Sequence, residues 1–266
     1  MMISSFQIPG KSVAVVAHPD DEVLWLSSLL TRVDKIIFCF SDCLTAPRLG
    51  SSRRNVIAAY PLSNAVMLDI EESVSFNTAD WKSPVETEHG LFIKNPEIAR
   101  KYKQSHEAIC KMLPTMLADV DNVFTHNPWG EYGHEDHVQV YRVIKSLQKK
   151  MGFDLWFSNY CGNRSISLML KYISGYSSDY VTFNTNPELI KQISDLYKQH
   201  GCWTWYNDYE WFKSESFMRD RDMNSALAYG HAFPINFIKT NFDADPIIES
   251  PDFMQRVKLF FSKSAL

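Results

Sequence analysis

The chain is poor in cysteine, in glycine-rich motifs, in long apolar runs and in excess charge of either sign. Its five cysteines, Cys39, Cys43, Cys110, Cys161 and Cys202, are odd in number and widely scattered, which excludes a disulfide framework as the organising device. Cys39 and Cys43, in or just after a predicted strand, read as buried or partly buried thiols. Lys and Arg number 27 against 31 Asp and Glu, a formal charge of -4. That balance argues against a nucleic-acid partner, which needs a basic face. No window approaches the ~20 apolar residues of a membrane span. The segment Met1 to Gly10 lacks the basic region and apolar stretch of a secretory signal. The expectation is therefore a cytoplasmic protein with no transmembrane segment. No linker, charge run, repeat or low-complexity tract divides the 266 residues, so a single domain over 1–266 is expected. What is present is a core's worth of apolar side chains, with 45% hydrophobic and 14% aromatic residues.

Two polar clusters stand out against this background. Val13-Ala14-Val15-Val16-Ala17 reads as a buried strand, because a strand covered on both faces needs no polar alternation. It stops at His18-Pro19-Asp20-Asp21-Glu22, and the apolar run Val23 to Leu30 reads as a helix. The cluster thus occupies the turn after a first strand, where open α/β sheets bind ligands. His18 and Asp21 are three apart, and one helical turn would place them on one side. Asp20 lies between them, which suggests two metal ligands and one free carboxylate beside the metal. A capped, acidic helix start is the competing reading. The second cluster is Thr125-His126-Asn127-Pro128-Trp129-Gly130-Glu131-Tyr132-Gly133-His134-Glu135-Asp136-His137. It follows a strand-like run, Asn122-Val123-Phe124, and leads into a predicted helix from about 136 to 149. His134 and His137 again stand three apart. Two strand-end clusters rich in His and Asp are what a metal site between neighbouring strands requires.

Ala17-His18-Pro19-Asp20-Asp21-Glu22, paired with His134-Glu135-Asp136-His137, resembles the zinc-dependent N-acetylglucosaminyl de-N-acetylases. That family includes the glycosylphosphatidylinositol-pathway enzyme and bacterial relatives of mycothiol and bacillithiol synthesis. The resemblance covers roughly residues 11 to 220 and implies a Rossmann-like three-layer α/β fold. It implies a hydrolase removing an N-acetyl group from an N-acetylated sugar conjugate, a small-molecule or glycoconjugate partner. Two chain features depart from the family pattern near where substrate should bind. The second strand ends in Ser41-Asp42-Cys43 rather than a Thr- and Gly-containing turn, and Asn55 stands where a glutamate often follows the arginine.

A catalytic zinc keeps three protein ligands and an open position. His18, Asp21 and one of His134 or His137 supply that count, and the resemblance selects His137. Iron(II), cobalt or manganese would accept the same donors. On the same resemblance Asp20 is the general base, Tyr132 a donor to the amide carbonyl, and His134, protonated, the acid for the leaving amine. Asp136 would hold a histidine in the needed tautomer. Arg53 would grip substrate hydroxyls, with Arg54 an equal candidate by position. His126 reads as a structural neighbour of the strand end, and His89, His106, His200 and His231 as surface or core residues. Two rival functions stay open: an amidase acting on a non-sugar amide or thiol conjugate, and a non-catalytic sugar-binding protein.

The remaining elements alternate. Lys35 to Phe40 reads as a strand, Ser51 to Tyr60 as a helix ended by Pro61, and Asn64 to Ile70 as a third strand. This order implies a mostly parallel sheet with helices on both faces. No G-x-G-x-x-G follows the first strand, so a dinucleotide is not the expected ligand. The irregular stretch 73–95 is expected as a wall or lid over the site. Pro96 to Leu113 reads as a helix and Asp154 to Tyr160 as a strand. The runs near 166–173 and 180–183 are expected as two further strands. Asn186 to His200 reads as a helix capped by Asn186 with Pro187 at its first position. The aromatic run 202–212 reads as packing that closes the C-terminal end of the sheet, or as rings that stack on a sugar.

Overall fold

A computed structural model of the chain describes residues 8–43, 45–172, 179–220 and 234–241. Its elements are β1 (Ser12–Val16), α1 (Asp21–Trp25), β2 (Lys35–Asp42), α2 (Pro47–Ala58), β3 (Ala65–Glu71), β4 (Glu86–Thr87), β5 (Gly90–Leu91), α3 (Pro96–Met116), β6 (Asn122–Thr125), α4 (Glu135–Met151), β7 (Asp154–Ser158), β8 (Tyr160–Gly162), α5 (Ile166–Tyr172), β9 (Tyr180–Asn184), α6 (Pro187–Gln199), β10 (Ser214–Arg219) and β11 (Asn236–Ile238). Seven strands form the central sheet in the order β3-β2-β1-β6-β7-β10-β9. The first five are mutually parallel, and β10 runs antiparallel to both β7 and β9. The expected α/β architecture, a mostly parallel sheet with helices on both faces, is the one observed.

Strand alternation divides the core into two layers. Val13, Val15, Ile37, Cys39, Val123, Leu155 and Phe157 pack with Ile109 and Leu113 of α3 and with Val140, Val143, Ile144 and Leu147 of α4. Ala14, Val16, Ile36, Phe38, Phe124 and Trp156 face the other way, onto Trp25, Val56, Ile190, Ile193 and Tyr197. The chain leaves β1 toward β2 and β3 on one side and returns to β6 and β7 on the other. The strand order therefore reverses between β1 and β6, and a crevice opens outside their carboxyl ends. Both polar clusters lie there.

Several elements depart from the sequence expectation. The helix expected over Val23 to Leu30 is only α1, followed by a short 3-10 turn at Ser27–Leu29. The carboxylate of Glu215 on β10 captures the freed donors, accepting from Ser27 N at 3.2 Å, Ser27 Oγ at 2.8 Å and Ser28 N at 2.7 Å. A buried acceptor in the sheet thus competes with the helical ladder. α2 begins at Pro47, four residues earlier than expected, because proline is suited to a helix's first position. α3 carries Pro114 within its last turn and runs on to Met116. The run at 166–172 is a helix, α5, and not a strand, while Ile173 lies outside the described residues. The strand expected to Tyr160 breaks after Ser158, and Tyr160–Gly162 pairs instead with β11 in a separate two-stranded sheet. α6 is as expected, with Asn186 accepting from Leu189 N. Among the described residues no helix is long and apolar enough to cross a membrane.

Candidate metal centre

The turn after β1 is sharper than a helical turn. Asp20 adopts φ 106°, a left-handed backbone rare for a side-chain-bearing residue. His18 consequently lies outside α1, and the expected helical juxtaposition of His18 and Asp21 is replaced by a reciprocal clasp. His18 N donates to Asp21 Oδ2 at 2.6 Å and Asp21 N donates to His18 O at 3.2 Å. Asp20 N donates to Glu22 Oε2 at 3.0 Å, and Glu22 Oε1 accepts from Tyr60 and Tyr197. These bonds hold the strained residue in place.

The turn after β6 is built on Gly130, at φ 68°, whose carbonyl accepts from Gly133 N at 2.7 Å and His134 N at 3.0 Å. A Cβ there would lie 2.5 Å from His134 O, so the turn requires glycine. His134 then caps α4, its Nδ1 accepting from Asp136 N at 3.1 Å. With Nδ1 so engaged, the proton of the neutral ring sits on Nε2.

The two turns meet. Among the described residues, ligand atoms of His18, His134 and His137 lie within 4.8 Å of one another, and so do those of Asp21, His126 and His137. Asp21 stands between the two expected histidine ligands, with Oδ2 at 3.3 Å from His18 Nδ1 and Oδ1 at 3.1 Å from His137 Nε2. His126 is the neighbour expected from the sequence. Its Nε2 accepts the Ala17 N–H at 2.9 Å, leaving no lone pair for a cation.

Glu131, absent from the sequence expectation, organises the second half of the site. It is fully buried, and its Oε2 lies 2.8 Å from His137 Nδ1 and 3.1 Å from His126 Nδ1. Oε1 accepts from Asn127 N at 3.0 Å and from the Ser158 hydroxyl. Burial alone would raise its pKa, but His126 and His137 pull it down to about 2. The ionised carboxylate therefore accepts a hydrogen bond from His137 Nδ1–H, which leaves the Nε2 lone pair facing inward. That nitrogen is buried and has no hydrogen-bond partner. A lone pair 3.1 Å from a carboxylate oxygen is repulsive unless a proton or a metal cation lies between them. A tetrahedral ion with bonds of ~2.0–2.1 Å spaces its ligand atoms ~3.3 Å apart. The His18–Asp21 and His137–Asp21 separations match this pair by pair, on different oxygens of Asp21, while among the described residues the groups that converge within 4.8 Å are His18, His134 and His137, and Asp21, His126 and His137. The only sequence signal for Glu131 is a carboxylate close before a candidate ligand, and the left-handed backbone at Gly130 and Glu131 that aims it is not visible there.

The surrounding charge is acidic. Burial depresses His18, but Glu72, Asp136 and Asp21 outweigh it and raise its pKa to about 10. Asp21 is held well below the usual carboxylate range, since His137, His126 and His18 overcome its burial. Burial and the adjacent Asp21 push Asp20 up to about 7, against bonds from Thr204 that lower it. Burial drives the Tyr132 hydroxyl well above its ordinary value, so it keeps its proton. His134 is driven below its ordinary value by burial and by His137 and His18. His18, Tyr132 and His134 retain 6–8% exposure while His137 has none. The approach from solvent is therefore on their side.

Asp136 is a bridging residue. Its Oδ1 accepts from Ser73 Oγ at 3.3 Å and Ser75 Oγ at 2.8 Å, and its Oδ2 lies 3.3 Å from His18 Nε2. The histidine beside it is His18. Arg53 is 3% exposed, ion-paired with Glu72 and donating to Ser41 O at 3.2 Å. Arg54 lies outside the site and pairs with Asp42 and Asp69. The 73–81 stretch covers the site as a wall. Glu135 accepts from Asn77 N, Thr78 N, Ala79 N and Trp81 Nε1 at 2.9–3.3 Å, and Phe76 stacks on His134 with ring centroids 4.7 Å apart. The aromatic run at 202–212 packs at the site and not merely at the sheet's end. Trp205 contacts Trp25 at 4.9 Å and Tyr132 at 4.6 Å between ring centroids. His231 lies outside the described residues.

No family model matches the chain. A curated relative, 1D-myo-inositol 2-acetamido-2-deoxy-alpha-D-glucopyranoside deacetylase of Corynebacterium diphtheriae, is 24% identical over 166 residues, 53% of each chain. The chain thus spans about half the length of the curated relative it matches. Among solved structures, the fold is similar to a deacetylase of teicoplanin biosynthesis in complex with teicoplanin, with a TM-score of 0.50 and 11% identity. It is similar also to the zinc-inhibited form of teicoplanin deacetylase Orf2, with a TM-score of 0.51 and 10% identity. Each likeness covers 79% of this chain and 97% of the other. The resemblance carried by the two motifs thus extends to a curated deacetylase in sequence and to solved deacetylases in fold.

Proposed function

We propose that the protein is a metal-dependent N-deacetylase, removing an acetyl group from the amide nitrogen of an N-acetylglucosamine-type conjugate. The observation that carries this is the buried His137 Nε2, without a hydrogen-bond partner and 3.1 Å from Asp21 Oδ1, with the rings of Tyr132 and His134 against that of His137. The similarity to a named sugar deacetylase supports the substrate class. His18, Asp21 and His137 would hold a divalent ion, zinc by the donor set of two imidazoles and one carboxylate. When bound, the ion lowers the pKa of a coordinated water to ~7 and polarises the amide carbonyl.

The chain's own groups supply the rest. Asp20 takes the proton released when water's oxygen bonds to the carbonyl carbon. The Tyr132 hydroxyl and His134 Nε2–H donate hydrogen bonds to the carbonyl oxygen as it gains charge. The C–N bond then breaks, and the proton held by Asp20 passes to the departing amine. Casting His134 as an imidazolium acid would set an Nδ1 proton against the Asp136 N–H that now points at it. We therefore assign His134 the part of a neutral donor, differing from its role in the resembled family. Arg53, already paired with Glu72, reaches substrate by giving up or sharing that pair. The test is acetate release from N-acetylglucosamine glycosides by zinc-loaded protein. Asp20→Asn should lose turnover by ~10²–10⁴-fold with its metal retained. Unchanged turnover in that variant would refute the assigned base.

A further inference from the structure

We propose that Thr204 is the positioning residue for the base Asp20, an inference that rests on the deacetylase reading. Thr204 arrives from the far end of the sequence, 184 residues away, yet two of its donors converge on one oxygen of Asp20. Its backbone N–H reaches Asp20 Oδ2 at 3.0 Å and its hydroxyl reaches the same oxygen at 2.7 Å. A carboxylate on a short side chain turns about one bond near its end, and two donors on one oxygen stop that rotation. The pair commits Oδ2 and leaves Oδ1 as the oxygen that accepts water's proton and later returns it to the amine.

The segment bearing Thr204 is itself anchored. Trp211 Nε1 donates to Val23 O at 2.7 Å, and Trp205 packs edge-on against Trp25 of α1. The backbone of Asp20 is pinned from the other side by Glu22. A residue held at φ 106° by one set of bonds and rotationally locked by another is preorganised for a single task. Thr204 touches no reacting atom in this arrangement. It acts through Asp20 alone.

The experiment compares Thr204→Val, Thr204→Ser and wild type, each zinc-loaded, on para-nitrophenyl N-acetyl-glucosaminide, with Thr204→Val also placed in an Asp20→Asn background. Thr204→Val should lower kcat about tenfold, the equivalent of one hydrogen bond, with KM within about twofold and the wild-type metal content retained. Thr204→Ser should restore kcat. In the Asp20→Asn background the valine substitution should cost nothing more, because the group it acts through is gone. A Thr204→Val enzyme with wild-type kcat overturns the proposal, as does an equal loss in both backgrounds, while the deacetylase reading survives. A wild-type protein that carries zinc yet releases no acetate from this glycoside or from other N-acetyl sugars removes the reading itself, and the role of Thr204 with it.

Discussion

Glu131 shows how much of the site's chemistry rests on one buried side chain. It fixes the tautomer of His137 and, through His126, braces the backbone N–H of Ala17 at the end of β1. Carboxylates in this position raise the basicity of a ligating imidazole and hold its plane. Glu131→Gln should weaken metal binding ~10–100-fold, measured by competition with a chromophoric chelator. An unchanged Kd would mean that the carboxylate only fills space. A second residue-scale prediction concerns acid stability away from the site. His106, partly buried on α3 beside His89 and Cys110, is lowered from 6.5 to about 4 by burial and by His89. Between those pH values the unfolded chain binds a proton that the folded chain refuses. Stability therefore falls as pH drops from 6.5 toward about 4. His106→Phe should flatten that limb of Tm against pH, and an unaltered slope would contradict the assignment.

At the scale of elements, the site is two strand ends and a wall. β1 and β6 are adjacent and parallel, with Val15 opposite Thr125, so the turns that follow them emerge side by side. Each turn uses left-handed backbone to bend sharply, at Asp20 in one and at Gly130, Glu131 and Gly133 in the other. The wall at 73–81 is tied down by Glu135 at the start of α4 and by Ser73 and Ser75 on Asp136. Removing Glu135 strands the buried Trp81 Nε1–H and the partly buried N–H groups of Thr78 and Ala79 at once. Glu135→Ala should cost about 2–4 kcal/mol of unfolding free energy and speed amide exchange at Thr78 and Ala79. Wild-type exchange there would show that the wall stands without the carboxylate.

For the whole molecule, the reversal of strand order between β1 and β6 brings the two polar turns together, and on the proposed reading a cation held there would bind the two halves of the sheet. The folded chain gathers ligands that the unfolded chain scatters, so metal binding adds to folding free energy. Chelation should lower Tm, and zinc should restore it. Much of this is legible in the sequence, because the apolar run of β1 and the strand-like run of β6 each end in a His- and Asp-rich cluster, and α6 carries its own cap and proline. The contacts that were not legible depend on distant partners. Nothing local announces that Glu215 would interrupt the helix after α1, that Thr204 would reach Asp20, or that α5 would be helical where apolar periodicity is short and ambiguous. His18 and Asp21 were rightly expected to meet, but through a strained turn and not a helical one. The most direct measurement of the central claim is elemental analysis of freshly purified wild type beside His137→Ala. The account predicts one divalent ion per chain in the wild type and almost none in the variant. A metal-free wild type, or a variant with undiminished metal, would contradict it.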